Sequence, residues 1–230
     1  MTPNDRVLAA LDGVYDPELD ESIVALRFVH SCSVSPDGDV DLRLRLPTPQ
    51  CAPNFAFLMV ADAQRAVREV PGVRHVHVAL EDHYTEREIN GAIADGNGFE
   101  AAFPGESTGE LEALRGLFQR KALVARQSRV FERLFAHDEA ASASLRLSEL
   151  PPEDPDVQRC WELRRALGLE NGPDSAAFVR PDGSPVTAQE IPRWRRAGRL
   201  INTSLESNGG FCRSLLAVRH GRDEAGAVVA

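Results

Sequence analysis

The chain has 230 residues, 43% hydrophobic and 27% charged, a balance suited to one large or two small globular cores. Its formal net charge of −9 falls mostly on the first part: residues 1–98 carry 8 Arg against 16 Asp and Glu, a net of −8, which leaves −1 for the rest. An acidic first half repels phosphate and argues against a nucleic-acid partner, and no apolar run approaches the roughly 20 residues that span a bilayer, which argues against a membrane one.

The start, MTPNDRVLAALDG, has neither the basic nor the long apolar segment of a signal peptide, so the expected location is cytoplasmic, with reduced cysteines. Thr2, Pro3 and Asp5 supply a hydroxyl cap, a proline for the first helical position and an acid for the first turn, and Val7, Leu8, Leu11 and Val14 then form one apolar stripe. YDPEL ends that helix, because a residue before proline avoids the α region. SIVALRFVHSCSV (22–34) is expected as a strand, SPDGD as a turn and VDLRLRL (40–46) as a second strand. In the second strand Val40, Leu42, Leu44 and Leu46 alternate with Asp41, Arg43 and Arg45, one set on each face. Residues 54–69 are expected to be helical, and PGVRHVHVAL to form a third strand with Val76, Val78 and Leu80 inward and His75 and His77 outward. Helix, strand, strand, helix, strand over 1–89 predicts a small α+β domain.

Residues 90–109 carry Gly, Asn and Pro with little periodicity and are expected as a linker. From Glu110 to about His137 the apolar positions Leu111, Leu114, Leu117, Phe118, Val130, Phe131, Leu134 and Phe135 predict a long amphipathic helix or two abutting ones. SELPPEDPD interrupts it, Val157–Leu167 reads as a short helix ended by Gly168, and AAFVRPDGSPV as a two-stranded hairpin around Asp182-Gly183. TAQE (187–190) has the spacing of a capping box that opens another helix, and NGG (208–210) is expected to separate that helix from a last one, FCRSLLAVRH. The fold class is therefore α+β, with a mainly helical, Arg-rich second domain over 110–220, a short hairpin within it, and a disordered tail at 221–230.

The four cysteines, Cys32, Cys51, Cys160 and Cys212, are far apart, so no zinc-ribbon or thioredoxin spacing is present. Cys51 ends the turn PTPQC just before a helix, where the dipole and free N–H groups lower a thiol's pKa and favour the thiolate that binds soft metals. The same residue could also be a small apolar filler, and spacing alone leaves both readings open. His75 and His77 lie one residue apart on one strand face, within reach of a shared metal, with His83 following; a solvated sheet face beside Arg43 and Arg45 is the plainer reading. Cys212, after NGG and beside Arg213, repeats the helix-start logic as a second metal ligand or anion pocket, with a filler cysteine as the alternative. Cys32 and Cys160 read as core. RWRRAGR (193–199) with Trp194 reads as a solvated helix face rather than a nucleic-acid contact. Nucleotide-binding glycine motifs, G-x-S-x-G and H-E-x-x-H are absent.

DPELDESIVALRFV, then DGDVDLRLRLPTPQCA, then VPGVRHVHVAL follow one another in an order that resembles the iron–sulfur cluster assembly domain of SufT-like and PaaD-like proteins, over about residues 5–82. The resemblance implies an accessory factor that builds or delivers metal centres, not an enzyme with turnover. Carried over, it puts the family's reactive cysteine on Cys51, its acidic turn on Asp16, Pro17 and Glu18, and its threonine on Thr48. The Cys51 thiolate would then transiently hold iron or a cluster, which typically wants about four ligands, so a homodimer, a client protein or a small thiol must supply the others. The implied client is a metalloenzyme, an iron-dependent oxygenase being one class. The cysteine-rich zinc segment that often ends PaaD-like members is missing here, and the resemblance does not extend to the second half. Two rivals stand beside this reading: a metal-free adaptor or chaperone-like protein for such a client, and an enzyme using Cys51 as nucleophile with a histidine of the same sheet as base.

Overall fold

Thr2 and Asp5 start the first helix as their types predict: Thr2 Oγ1 accepts from the Asp5 amide at 3.1 Å while the Asp5 carboxylate accepts from the Thr2 amide at 2.7 Å. This capping box opens α1 (Pro3–Asp12), which buries Val7 and Leu11. The structure, a computed structural model, describes residues 1–105, 108–136 and 143–220, and its fold is α+β. The chain divides into two units, Met1–Ala113 with the chain from Ser207, and Leu114–Glu206.

In the first unit a two-residue hairpin, β1 (Tyr15–Asp16) with β2 (Glu21–Ser22), carries the acidic turn. The long strand expected over 22–34 is shorter: only β3 (Val29–Val34) is extended. Residues 23–27 form a tight turn in which Leu26 N donates to Ser22 O and Phe28 N to Ile23 O, with Arg27 at φ +61°. Ile23 and Leu26 are fully buried, three residues apart on one side of that turn, so their apolar character serves the core without a strand. β4 (Asp39–Arg45) lies in the middle of a three-stranded sheet, antiparallel to β3 and parallel to β5 (His75–Glu81), with Leu42 opposite Val78 and Leu44 opposite Leu80. The crossover between the parallel strands is α2 (Pro53–Arg68), a connection that parallel pairing demands. The turn before β4 needs glycine twice over: Gly38 has φ +88°, and a Cβ there would come within 2.2 Å of Gly72 O.

Of residues 90–109, expected as a linker, the stretch 90–102 instead folds onto this unit. α3 (Glu86–Ala94) and α4 (Phe99–Ala102) place Ile89, Ala92, Ile93, Phe99 and Ala102 in the same core as the sheet. The Asn90 side chain takes the place of a strand partner for Leu80, accepting from its N–H at 2.8 Å and donating to its C=O at 2.9 Å. Of the residues that suggested a linker, Gly96, Asn97 and Gly98 form the joint between these two helices, while Asn90 and Gly91 lie within α3.

α5 (Thr108–Leu134) is one helix rather than two. In the second unit it is followed by α6 (Pro155–Ala166), capped by Asp154 Oδ1, which accepts from the Asp156 and Val157 amides at 2.9 and 3.3 Å. The expected hairpin reduces to a single antiparallel bridge, Val179 to Pro185, around Gly183 at φ +87°. α7 (Ile191–His220) is one 30-residue helix that runs straight through Asn208-Gly209-Gly210. The expected break is absent; Gly209 instead faces Glu21, whose Oε2 would lie 3.2 Å from a Cβ at that position. Nor does the helix open at Thr187: the Glu190 carboxylate accepts from the Thr187 amide and hydroxyl, holding a turn that precedes Ile191. Phe131, Phe178 and Trp194 form the aromatic centre of this unit, with ring centroids 5.4–5.6 Å apart. No helix among the described residues is long and apolar enough to cross a membrane. The tail expected to be disordered lies outside the described residues, as does His137.

Candidate functional site

β4 leads directly into Pro47-Thr48-Pro49-Gln50-Cys51-Ala52-Pro53, a loop stiffened by three prolines. Cys51 N donates to Thr48 O at 3.4 Å, and Thr48 Oγ1 lies 3.6 Å from Cys51 Sγ. The half-buried cysteine stands one residue outside the helix: Ala52 is the N-cap and makes no side-chain cap bond, and Pro53 takes the first helical position. Alanine is a poor cap, so this helix start is held by its surroundings rather than by its own sequence.

The loop after β5 supplies that hold. His83 Nε2 donates to Cys51 O at 2.7 Å and the Tyr84 amide to Pro49 O at 3.0 Å. His83 Nδ1 accepts from the Thr85 amide at 3.2 Å, which settles the tautomer, because a carbonyl only accepts and an amide N–H only donates. Burial holds the His83 pKa below its ordinary value despite the bond to Cys51, so this imidazole is a neutral clamp on the cysteine's backbone.

On the other side sits the acidic turn, with β1 packed against α2. Asp16 is buried, and its Oδ1 accepts from the Glu18 and Leu19 amides at 2.8 and 2.9 Å. Burial nevertheless pushes its carboxyl up to about 6, against those two hydrogen bonds and with help from the charges of Glu18 and Glu21. Arg213 of α7 forks onto Glu21 at 2.6 and 2.7 Å. The neighbouring Cys212, half-buried, is pushed up to about 11 by burial and by the fields of Asp16, Cys51 and Glu18, with Arg213 opposing.

Cys51, Thr48, Asp16, Glu18 and Cys212 thus share one region of the first unit. Cys212 reaches it from within the last three turns of a long helix and not from a helix start, so the anion-pocket logic does not apply to it. His75 and His77 lie elsewhere: they pair with Asp39 and Asp41 at the N-terminal ends of β5 and β4, while Cys51 follows the opposite end of β4. His77 Nδ1 is 2.9 Å from Asp41 Oδ2, on the polar sheet face. Among the described residues no group of three or more His, Cys, Asp or Glu side chains is arranged to hold a metal ion. Cys32 and Cys160 are buried in the cores, and burial pushes Cys32 up to about 11. In RWRRAGR, Trp194 is buried, and Arg195 and Arg199 hold Glu132 through their Nε atoms at 2.9 and 3.0 Å.

The role of His83 is missed when it is grouped with His75 and His77. The parallel pairing carries the signal: strands that run the same way bring the residues after β4 and those after β5 to the same end.

The profile of the family described as "Iron-sulfur cluster assembly protein" matches residues 4–79. An uncharacterised protein of Methanocaldococcus jannaschii is 34% identical over 90 residues, which cover 39% of this chain and 93% of that protein. The chain belongs to this family. Two proteins named iron-sulfur cluster carrier protein, from Synechocystis and Deinococcus radiodurans, are 39% identical over 80 residues and 37% over 76. The matches span 35% and 33% of this chain and only 22% and 21% of those carriers. No solved structure matches significantly. The family match ends before α3, so the whole run from α3 to α7 lies beyond it.

Proposed function

We propose that the protein is a non-catalytic accessory factor in metal-centre assembly, which takes iron or an iron–sulfur cluster as cargo at the Cys51 thiolate and passes it to a client enzyme. The observation that carries this reading is that family membership and loop geometry fall on the same residue. Cys51 lies inside the matched region, is a free cysteine, and has its backbone clamped by His83 while its thiol lies 3.6 Å from Thr48 Oγ1. A thiolate on a fixed loop is a soft ligand that needs no rearrangement to bind or release a metal. The names of the two carrier relatives support an iron–sulfur cargo. Since a cluster wants about four ligands, the others come from the client, a second copy or a small thiol, which suits transfer rather than storage. The resemblance to SufT-like and PaaD-like proteins makes an iron-dependent oxygenase the client class to try first. Both nitrogens of His83 are engaged by Cys51's own carbonyl and by Thr85, so the adjacent imidazole is a clamp rather than a base for the thiol.

Anaerobic reconstitution with iron and sulfide tests the reading, comparing wild type with Cys51→Ser by absorption and bound-metal analysis. Cluster or iron on wild type and none on the variant is the expected result; equal binding, or none on either, would sink carriage through Cys51. The second reading, a metal-free adaptor that holds an apo-client, draws on the lack of any three-donor group among the described residues. In that case Cys51→Ser leaves client activation unchanged.

A further inference from the structure

Asp82 is the joint between the end of β5 and the His83 that clamps Cys51. Its φ of +56° lies in the left-handed region, which side chains other than Asn and Asp rarely adopt. Side chains of β4 and α7 converge on this joint. Arg219 of α7 donates through Nη2 to Asp82 O at 3.0 Å, Arg45 of β4 has its Nε 3.6 Å from the Asp82 carboxylate, and His220 of α7 has Nδ1 4.0 Å from the same oxygen. The end of α7 is itself fixed to the first unit, because Leu216 is buried in its core and Arg213 forks onto Glu21 of the acidic turn.

We propose that Arg219 is a positioning residue for Cys51, acting through Asp82 and His83. A peptide unit is planar, so the Asp82 carbonyl and the His83 N–H turn together. That one plane is held at both ends: Arg219 donates to the carbonyl, and the N–H donates to Glu86 Oε2 at 3.4 Å. With the plane fixed, His83 leaves the strand in the direction from which Nε2 reaches Cys51 O at 2.7 Å and the Tyr84 amide reaches Pro49 O at 3.0 Å. Without Arg219, Asp82 can leave its left-handed conformation and both holds on the cysteine loop loosen together. Arg219, Asp82 and His83 all follow the matched residues 4–79, so this support does not come with the family match. Its functional meaning rests on the carrier reading, in which a thiol on a fixed loop takes and gives up cargo without rearrangement.

The test uses the full-length, reduced, metal-free chain and compares wild type with Arg219→Met, which keeps an apolar stem but no donor, and Arg219→Lys, which keeps a donor for the single carbonyl. Amide hydrogen exchange is read residue by residue, and alkylation of Cys51 by iodoacetamide is followed by mass spectrometry, with the buried Cys32 and Cys160 as references. In Arg219→Met the Tyr84 and Cys51 amides, bonded to Pro49 O and Thr48 O, should exchange roughly two- to tenfold faster, the range that losing one hydrogen bond allows. Cys51 should alkylate faster to a similar degree, the amides of β4 and α7 should keep their wild-type rates, and Arg219→Lys should restore the loop. Wild-type rates in Arg219→Met overturn the proposal. So does faster exchange spread evenly through β4, β5 and α7, which would make Arg219 a general anchor of the helix, or a lysine variant that behaves like the methionine one. None of these outcomes touches the carrier reading, which the iron and sulfide reconstitution decides separately; a wild type that takes up no cargo sinks that reading and leaves the positioning measured on the metal-free chain.

Discussion

The two units bury their polar groups for different purposes. In the first unit the buried polar residues are Asp16, Asp20, Ser22, Gln64, His83 and Thr85, and all but Gln64 fall in the two segments that flank Cys51. In the second they are Gln127 and Arg164, set where α5, α6 and the bridge segment meet, Asp156 between α5 and α6, and Ser128 against Gly198 of α7. The first unit has a sheet whose ladder satisfies its backbone, so its buried polarity is free to shape a site. Among its described residues the second has no sheet, and side chains do the work of a ladder. Gln127 accepts from Val179 N at 2.7 Å and donates to Val179 O at 3.1 Å, as a neighbouring strand would. Arg164, fully buried, donates to Ala176 O and Ala177 O at 2.8 Å and to Glu170 O at 3.2 Å. Loss of a polar group should therefore loosen the second unit and, in the first, disturb the cysteine loop.

The largest effect that would test this contrast is Arg164→Ala. It removes the partner of the buried Ala177 carbonyl and of the half-buried Ala176 carbonyl, at about 1–3 kcal/mol each, so about 3 kcal/mol should be lost, read by hydrogen exchange as faster opening of the second unit. Unchanged protection there would break the comparison.

Asp16→Asn comes next, and its effect depends on pH. The carboxyl is raised from 3.8 to about 6, so the fold disfavours its charged form. Its contribution is fully present below 3.8 and is lost as pH rises through about 6, a swing on the order of 3 kcal/mol. Asparagine still accepts from the Glu18 and Leu19 amides but cannot ionise. The variant should be more stable than wild type at pH 8 by about 2 kcal/mol, and the gap should close below pH 4, as followed by urea midpoints.

His83→Ala should cost about 1–2 kcal/mol and speed hydrogen exchange selectively in the Cys51 loop. Because burial lowers the His83 pKa, the wild-type contribution is present above the unfolded value and falls as pH drops below it; the alanine variant should lack that dependence. Uniform exchange across the unit would show that the histidine is general packing.

The smallest effect separates two adjacent glycines of α7. Gly210→Ala meets nothing within 4 Å and should gain about 0.5–1 kcal/mol of helix stability. At Gly209 the new methyl meets Glu21 and Arg213 at 3.2 and 3.4 Å, and the gain should vanish to within about 0.5 kcal/mol. Equal thermal shifts would show that α7 is not held against the acidic turn.

Much of the first unit was legible in the sequence because its signals are local. The alternation of Val40, Leu42 and Leu44 with Asp41, Arg43 and Arg45 marks β4, Pro53 marks the start of α2, and the turn motifs around Cys51 point to the family. The same motifs, through the family resemblance, are what single out Cys51, Thr48, Asp16 and Glu18 as candidate site residues. Less of the site's support was legible. His83 looked like a companion of His75 and His77 because sequence distance hides which strand ends meet, and Cys212 looked like a helix start because two glycines normally mark a break.

By itself, the sequence determined the α+β class, the strand faces, the position of the cysteine loop and the family. Only the tertiary structure decided that 23–27 is a turn, that α3 and α4 complete the first core, and that α7 passes through its glycines to bury Leu216 in that core. The reason is one of magnitude. Local preferences are worth a few tenths to about 1 kcal/mol per residue, whereas burying a side chain such as Leu26, Ile89 or Leu216 is worth about 1.5–3 kcal/mol. Where the two disagree, contacts between residues far apart in the chain prevail, and a single sequence does not display those contacts.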